Sequence, residues 1–272
     1  DSQTKVYGED DPDLTYQITS GSLAFSDDFT GNLTREIGED VGDYDILQGT
    51  LALSPNYVLT YVGNILTVNK ANAIIDVTPY DVTYDGFAHT VVGTATGVLG
   101  EDLSAGLDLS DTTHTNAGTY DEDIWTFTDT TGNYNDDSDT IEDNISKANA
   151  NITVNGYSGV YDGAAHGAKG SATGVNEEDL SGSLDLGSSF TNVPGGTADW
   201  TFTGGQNYND DSGSVDIEIT PKAASVIPDA ASKTYGSADP ALTGTLSGFL
   251  VSDGVTADYT RTAGETVLGG PY

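Results

Sequence analysis

The side chains with which this chain could do chemistry are three histidines and 43 carboxylates, set against eight Lys and Arg and no cysteine. Without cysteine, disulfides, thiolate catalysis and Cys-ligated zinc or iron–sulfur centres are excluded. A Ser/His/Asp hydrolase needs one histidine oriented by a carboxylate beside a nucleophile in a strained turn. Here His89 and His166 close a stretch that occurs twice, Tyr84-Asp85-Gly86-Phe87-Ala88-His89 and Tyr161-Asp162-Gly163-Ala164-Ala165-His166. A group repeated at the same place in successive segments reads as a structural hydrogen-bonding group, so no enzyme is expected. Tyr-Asp-Gly also has a local account. Asp and Gly suit a tight turn, the first by bonding the backbone and the second by accepting positive φ, while Tyr packs at the strand end. The structural turn is therefore assigned to Tyr84, Asp85, Gly86 and His89 and to Tyr161, Asp162, Gly163 and His166. The competing reading is an aromatic and acid pair that contacts a glycan. His114 has no evident counterpart and is expected on a surface loop.

Calcium is the other chemical candidate, because it takes 6 to 8 hard oxygen ligands. Acidic clusters supply Asp121, Asp123, Asp136, Asp137, Asp139, Asp210 and Asp211 as possible ligands, although none matches the EF-hand loop or a Gly-rich nonapeptide repeat. Bound calcium would stiffen loops or junctions against charge repulsion; no cofactor is otherwise required. The formal net charge is −35, and carboxylates outnumber cations in every segment, so acidity belongs to the whole surface. Nucleic acid and membrane are not expected partners, since phosphate neutralisation needs basic clusters.

The elements that must position these groups come in repeats. The Tyr-Asp-Gly stretches lie 77 residues apart (84 to 161), and Ala95-Thr96-Gly97, Glu101-Asp102-Leu103 and Leu107-Asp108-Leu109 return in the same register as Ala172-Thr173-Gly174, Glu178-Asp179-Leu180 and Leu184-Asp185-Leu186. A period of this length marks a domain array. Four modules follow: 1–70, 71–147, 148–222 and 223–272. The second and third each begin Ala-Asn-Ala (Ala71, Ala148), and each carries Trp-Thr-Phe-Thr (from Trp125, Trp200) and Asn-Tyr-Asn-Asp-Asp-Ser (from Asn133, Asn207). The offset shrinks toward the end of the module, which points to residues lost from loops. The fourth repeats the first, Tyr235-Gly236 answering Tyr7-Gly8 and Arg261 answering Arg35, and stops where the first has Tyr44. It reads as a truncated copy, and both chain ends as cuts in a longer polypeptide.

No segment sustains a helical period, and Gly, Ser, Thr, Asp and Asn punctuate short β-branched and aromatic runs. The fold class is all-β, with room for one short helix per module near Glu-Asp-Leu. Tyr57–Tyr61 and Ile65–Val68, joined across Gly63-Asn64, read as a β-hairpin. In the last strand of the third module Val215, Ile217 and Ile219 share one face; the second module places Ile141, Asp143 and Ile145 there. Asp143 breaks the pattern and needs a partner, an edge or a cation if it points inward. Scarce Arg35 and Arg261 are expected to pair with Glu39 and Glu265. The junctions lack Gly/Ser-rich or Pro-rich linkers. A tandem array of small β-sandwich or β-grasp-like modules in an extended rod is expected.

On these residues the chain resembles the MBG-type repeats of large bacterial surface proteins and adhesins. Tyr-Gly, Asp-Pro-x-Leu-Thr and the Arg35 and Arg261 segments resemble the YGX type; Tyr-Asp-Gly-x-x-His, Ala-Thr-Gly, Glu-Asp-Leu and Asn-Tyr-Asn resemble the YDG type. The resemblance implies β-rich extracellular modules, on a bacterial surface or secreted, and carries no catalytic residues. It implies a stalk or spacer in an adhesin or surface fibre. The expected partners are neighbouring modules, with glycans or cell surfaces reached through domains outside this segment. A glycan- or calcium-binding adhesion module and a strand-sharing filament are the alternatives.

Overall fold

The fold is described from a computed structural model covering residues 1–272, with Gly269 described by its backbone alone. The chain is all-β and divides into two compact units, Asp1–Lys147 and Ala148–Tyr272.

In the first unit, the first module forms β1 (Gln3–Val6), β2 (Thr34–Arg35), β3 (Gly42–Leu47) and β4 (Asn64–Asn69), arranged β1-β4-β3-β2 in one sheet. The alternation that buries Leu66 and Val68 makes β4 the central strand, parallel to β1 and antiparallel to β3. The expected hairpin is not formed. Both edges of β4 are taken by β1 and β3, and Tyr57–Tyr61 instead runs as a loop, its tyrosines bonding elsewhere. Tyr61 donates to the Ile46 carbonyl, and Tyr57 donates to Asp27 while accepting from the Ala24 N–H.

The second module adds β5 (Ile74–Thr78), β6 (Asp81–Thr83), β7 (Val92–Thr96), β8 (Leu107–Asp108), β9 (Gly118–Phe127) and β10 (Asp137–Ser146). β5 pairs with β7, and a second sheet runs β6-β10-β9-β8 with β6 parallel to β10. Ala71, Ala95, Leu103, Phe127 and Tyr134 form the buried core, with Tyr7, Ile75, Leu107 and Trp125 packed against it.

The second unit repeats this in β11 (Asn151–Asn155), β12 (Tyr157–Val160), β13 (Lys169–Thr173), β14 (Leu184–Asp185), β15 (Gly195–Phe202) and β16 (Asp211–Thr220). β11 pairs with β13, and the other sheet runs β12-β16-β15-β14, β12 parallel to β16. Ile217 and Ile219 are buried on one face of β16 as the period-two pattern requires. The fourth module contributes a hairpin of β17 (Ser225–Pro228) and β18 (Gly244–Ser247). Helix is confined, among the described residues, to three-residue 3-10 turns; two of them, Ser104–Gly106 and Ser181–Ser183, follow Glu-Asp-Leu.

One length difference between the second and third modules lies inside a strand. The register of β9 against β10 shifts between Ile141 and Asp143, a β-bulge, whereas β15 pairs with β16 without a break. The extra residue of β9 is thus absorbed by a local kink and not by a loop tip.

Candidate functional site

Three of the repeated motifs converge on one carboxylate. In the second module Tyr134 lies in the core, and its hydroxyl donates to Glu101 Oε1 (2.8 Å) while accepting from the Val98 N–H (3.1 Å). The other oxygen, Oε2, accepts from the Leu99 N–H (2.8 Å). Gly97 makes this approach possible, since a Cβ there would stand 2.3 Å from both Glu101 Oε2 and the Tyr134 hydroxyl. The third module repeats the site: Tyr208 donates to Glu178, the Val175 N–H donates to Tyr208, and Gly174 leaves the same space. Ala-Thr-Gly, Glu-Asp-Leu and Asn-Tyr-Asn are therefore parts of one constellation. Asp102 and Asp179 fix its far side by accepting from the Ser104 and Ser181 N–H groups that open the 3-10 turns.

The module start is clamped to the same place. Ala71 bridges Tyr134 in parallel, its N–H donating to the Asn133 carbonyl and its carbonyl accepting from the Asn135 N–H. Ala148 does the same with Asn207 and Asn209. The side chains of Asn135 and Asn72, and of Asn209 and Asn149, add a hydrogen bond each. Ala-Asn at the head of a module and Asn-Tyr-Asn near its end are two halves of one clasp.

In the first unit the preceding module docks on this constellation. Tyr7 donates to Glu101 Oε1 (3.0 Å) and meets the Tyr134 ring edge-on, centroids 5.4 Å apart. Asn133 donates to Asp40 and accepts from the Val41 N–H, both in the first module. The Tyr7-Gly8 turn lies so close to the next module that a Cβ on Gly8 would stand 2.5 Å from Val98. In the second unit the Tyr-Asp-Gly turn of the third module meets the fourth in the same way. Tyr161 donates to Asp253 (2.9 Å), and a Cβ on Gly163 would stand 3.0 Å from Leu250. Within each unit, the turn after the first edge strand of the leading module (Tyr7-Gly8 or Tyr161-Asp162-Gly163) meets the module that follows.

The electrostatics agree with this geometry. Burial works to raise the Glu101 carboxyl, but its own N–H and the donations from Tyr134, Tyr7 and Leu99 outweigh it and hold the group below its ordinary range. Burial and the Glu101 carboxylate push the Tyr134 phenol up to about 12.

The outer modules carry a different device. Arg35 pairs bidentately with Asp11 (2.6 and 3.0 Å), also donates to Glu39 and to the Glu36 and Gly38 carbonyls, and lies over the Tyr44 ring. Lys5, buried to 5% exposure, joins both carboxylates. Arg261, Lys233, Asp239, Glu265 and Tyr272 repeat the arrangement. The local pairs Arg35–Glu39 and Arg261–Glu265 were legible from spacing; the lysine and the Asp-Pro aspartate were not. The Arg35 guanidinium, opposed by burial and aided by Lys5, holds Asp11 down at about 2. A carboxyl lowered on folding supplies stability above its unfolded value near 3.9, and that stability is lost as pH falls toward the folded value. Melting temperature is therefore expected to fall as pH drops from about 4 to about 2, and an Asp11→Asn chain to start lower with a flatter acid limb, read by circular dichroism.

The sequence-assigned turns have the following geometry. Asp85 accepts from the Phe87 N–H (2.9 Å) and binds His89 Nε2 (3.0 Å); Asp162 accepts from the Ala164 N–H (2.9 Å) and binds His166 Nε2 (2.8 Å). Gly86 and Gly163 have φ of +82° and +80°. The Tyr84 and Tyr161 N–H groups extend the parallel ladders to Ser146 and Thr220. His114 is not on a free loop: it bridges His89, stacks on Tyr120 at 3.5 Å and binds both oxygens of Asp123 (2.9 and 2.8 Å).

The seven aspartates considered for calcium are spread out. Asp121 is exposed on β9, and Asp123 is engaged by His114. Asp136 accepts from the Asp129 N–H, Asp137 from Ser138, Asp139 from Thr140, Asp210 from Gly204 and Asp211 from Ser212. Among the described residues no group of three or more His, Asp and Glu is arranged to hold a metal ion.

The fold and joints define a tandem all-β protein whose modules are clasped head to tail within each unit. Residues 1–67 and 224–272 match the family described as the MBG domain (YGX type), which bears out the resemblance read from Tyr-Gly, Asp-Pro and the Arg segments. No curated protein matches the chain. A solved structure, titled "Structure of surface layer protein SbsC, domains 4-9", is similar at 13% identity and a TM-score of 0.20, over 69% of this chain and 36% of that one.

Proposed function

We propose that this chain is a spacer segment of an extracellular bacterial surface protein, an adhesin or surface fibre, in which β modules act mechanically and no residue acts as a catalyst. The observation that carries this reading is the joint itself: Tyr7 of one module bonded to Glu101 of the next, with Asn133 reaching back to Asp40. Relative motion is the default for linked domains; polar bonds from both sides and a close backbone approach would narrow the angles open to this joint, as a spacer requires. The MBG match of the outer modules supports a surface location.

The absence of native cysteine makes the test direct. Spin labels at Val58→Cys and Asp121→Cys, both exposed and one in each module, report the joint angle by pulsed electron resonance. A narrow distance distribution is expected, broadening several-fold in a Glu101→Ala chain that still melts cooperatively. A native distribution as broad as the variant's would remove the spacer reading.

A further inference from the structure

The face of β10 that should be apolar carries Asp143, and Asp143 is completely buried. Its Oδ1 accepts from the Tyr80 N–H (2.9 Å), while Oδ2 has no hydrogen-bond partner among the described residues. An ionised carboxylate left half unpaired in an apolar layer is costly. The groups that face it from the packed elements are Tyr80 from the segment between β5 and β6, Asp123 and Tyr120 from β9, and His114 from the segment before β9. His89, which bridges His114, turns its Nε2 to Asp85. Two carboxyl groups and one imidazole thus meet at this place.

The third module shows what the same three places hold when no proton is involved. His114 bridges His89 where Phe190 bridges His166. Counted from Trp125 and Trp200, Asp123 corresponds to Ala198, and counted from Tyr134 and Tyr208, Asp143 corresponds to Ile217. Phe190, Ala198 and Ile217 make an apolar set, with Ala198 and Ile217 buried. Three polar groups replace three apolar ones together, in one module of a pair. That is the pattern of a unit that works as one, since a single buried carboxyl without the others would be unsupported.

We propose that His114, Asp123 and Asp143 form a buried proton-holding site, one proton lying between the two carboxyl groups with His114 closing the line, which makes the second module pH-responsive while the third is not. Asp143 is then a neutral acid that donates from Oδ2 to the Asp123 carboxylate, and Asp123 accepts in turn from His114 Nε2–H. Burial pushes the Asp143 carboxyl up; the Tyr80 N–H opposes this, and the Asp123 charge adds to it. The unfolded chain releases this proton near pH 3.9 and the folded module retains it. Stability from this site is therefore complete below that value and declines as pH rises, until the folded module also gives up the proton. This sign is opposite to that of Asp11 and Glu101.

The test uses the full chain, in which the two tryptophans fall one to each middle module. Trp200→Phe leaves Trp125 to report the second module, and Trp125→Phe leaves Trp200 to report the third. Between pH 5 and 8 the unfolding constant of the second module is expected to rise by up to about tenfold per pH unit over the range where one proton is linked. The third module should stay flat, and Asp143→Asn should flatten the second. Infrared spectra of the unmutated chain at pH 7 should show a protonated-carboxyl band that exchanges in heavy water and disappears in Asp143→Asn. No such band in the unmutated chain, or the same pH profile for both middle modules, would overturn the proposal. Both readings are available even if Asp143→Asn fails to fold.

Discussion

Replacing Tyr134 by alanine is expected to unfold the second module well below the melting temperature of the parent chain. The residue is 1% exposed, lies in the core with Phe127, Leu103 and Ala95, and its hydroxyl joins Glu101 and Val98. Aromatic-to-alanine changes in cores cost about 3–5 kcal/mol through lost burial and the cavity left behind. A module of about 75 residues holds only about 4–11 kcal/mol, so the loss is a large share of the whole. Tyr134→Phe keeps the ring and should cost about 1–2 kcal/mol, the penalty for a carboxylate deprived of one donor. Denaturant unfolding followed at Trp125, with Trp200 silenced, separates the two variants. An alanine chain whose Trp125 transition matches the parent's would show that Tyr134 is not a keystone of the module.

Removing Asp11 has the second largest expected effect. Asp11 is the shared anion of Lys5 and Arg35, and its loss leaves Glu39 as the one carboxylate paired with both, while Lys5 is buried. Breaking a fully buried ion pair from one side costs about 3–5 kcal/mol; because Asp11 is partly exposed, Asp11→Ala should cost about 2–3 kcal/mol. Asp239→Ala removes the same anion from the fourth module, where Lys233 and Arg261 are more open to water, and a smaller loss is expected there. Salt offers an internal control: 1 M sodium chloride should change the Asp11 effect less than the Asp239 effect, since exposed pairs are screened more strongly. Equal losses at both sites, equally sensitive to salt, would mean that burial of Lys5 contributes nothing.

Much of this was legible in the residues. Repeated Tyr-Asp-Gly, Trp-Thr-Phe-Thr and Asn-Tyr-Asn gave the module register, and the alternation of Val215, Ile217 and Ile219 marked β16 as a half-buried strand. What could not be read was which motifs touch. Glu101 and Tyr134 are 33 residues apart and Tyr7 and Glu101 are 94 apart, so their meeting depends on long-range closure of the fold, which no local pattern encodes. A usable signal did exist: Glu-Asp-Leu and Asn-Tyr-Asn occur together in both middle modules, and a buried tyrosine hydroxyl needs an acceptor. The misread hairpin has a similar cause. Tyr57–Tyr61 has strand-forming residues, but β-propensity reports fit to a sheet, and both edges of β4 are taken by β1 and β3. Asp143 is the converse case: its break in the alternation of β10 marks a buried carboxyl that accepts from the Tyr80 N–H.

The parallel pairing of the first and last strands of a sheet bears on how these modules would answer a pull along the chain. β1 runs beside β4 in the first module, β6 beside β10 in the second and β12 beside β16 in the third. In the first module, tension entering at its beginning and leaving at its end would draw β1 and β4 in opposite directions along their own length. The rungs between them lie across that direction and are stretched together, as in a lap joint, where a hairpin pulled open at its mouth would surrender its rungs one at a time. The register from Gln3↔Leu66 to Val6↔Asn69 has the geometry of a shear seam, over which a pull would be distributed along the whole overlap.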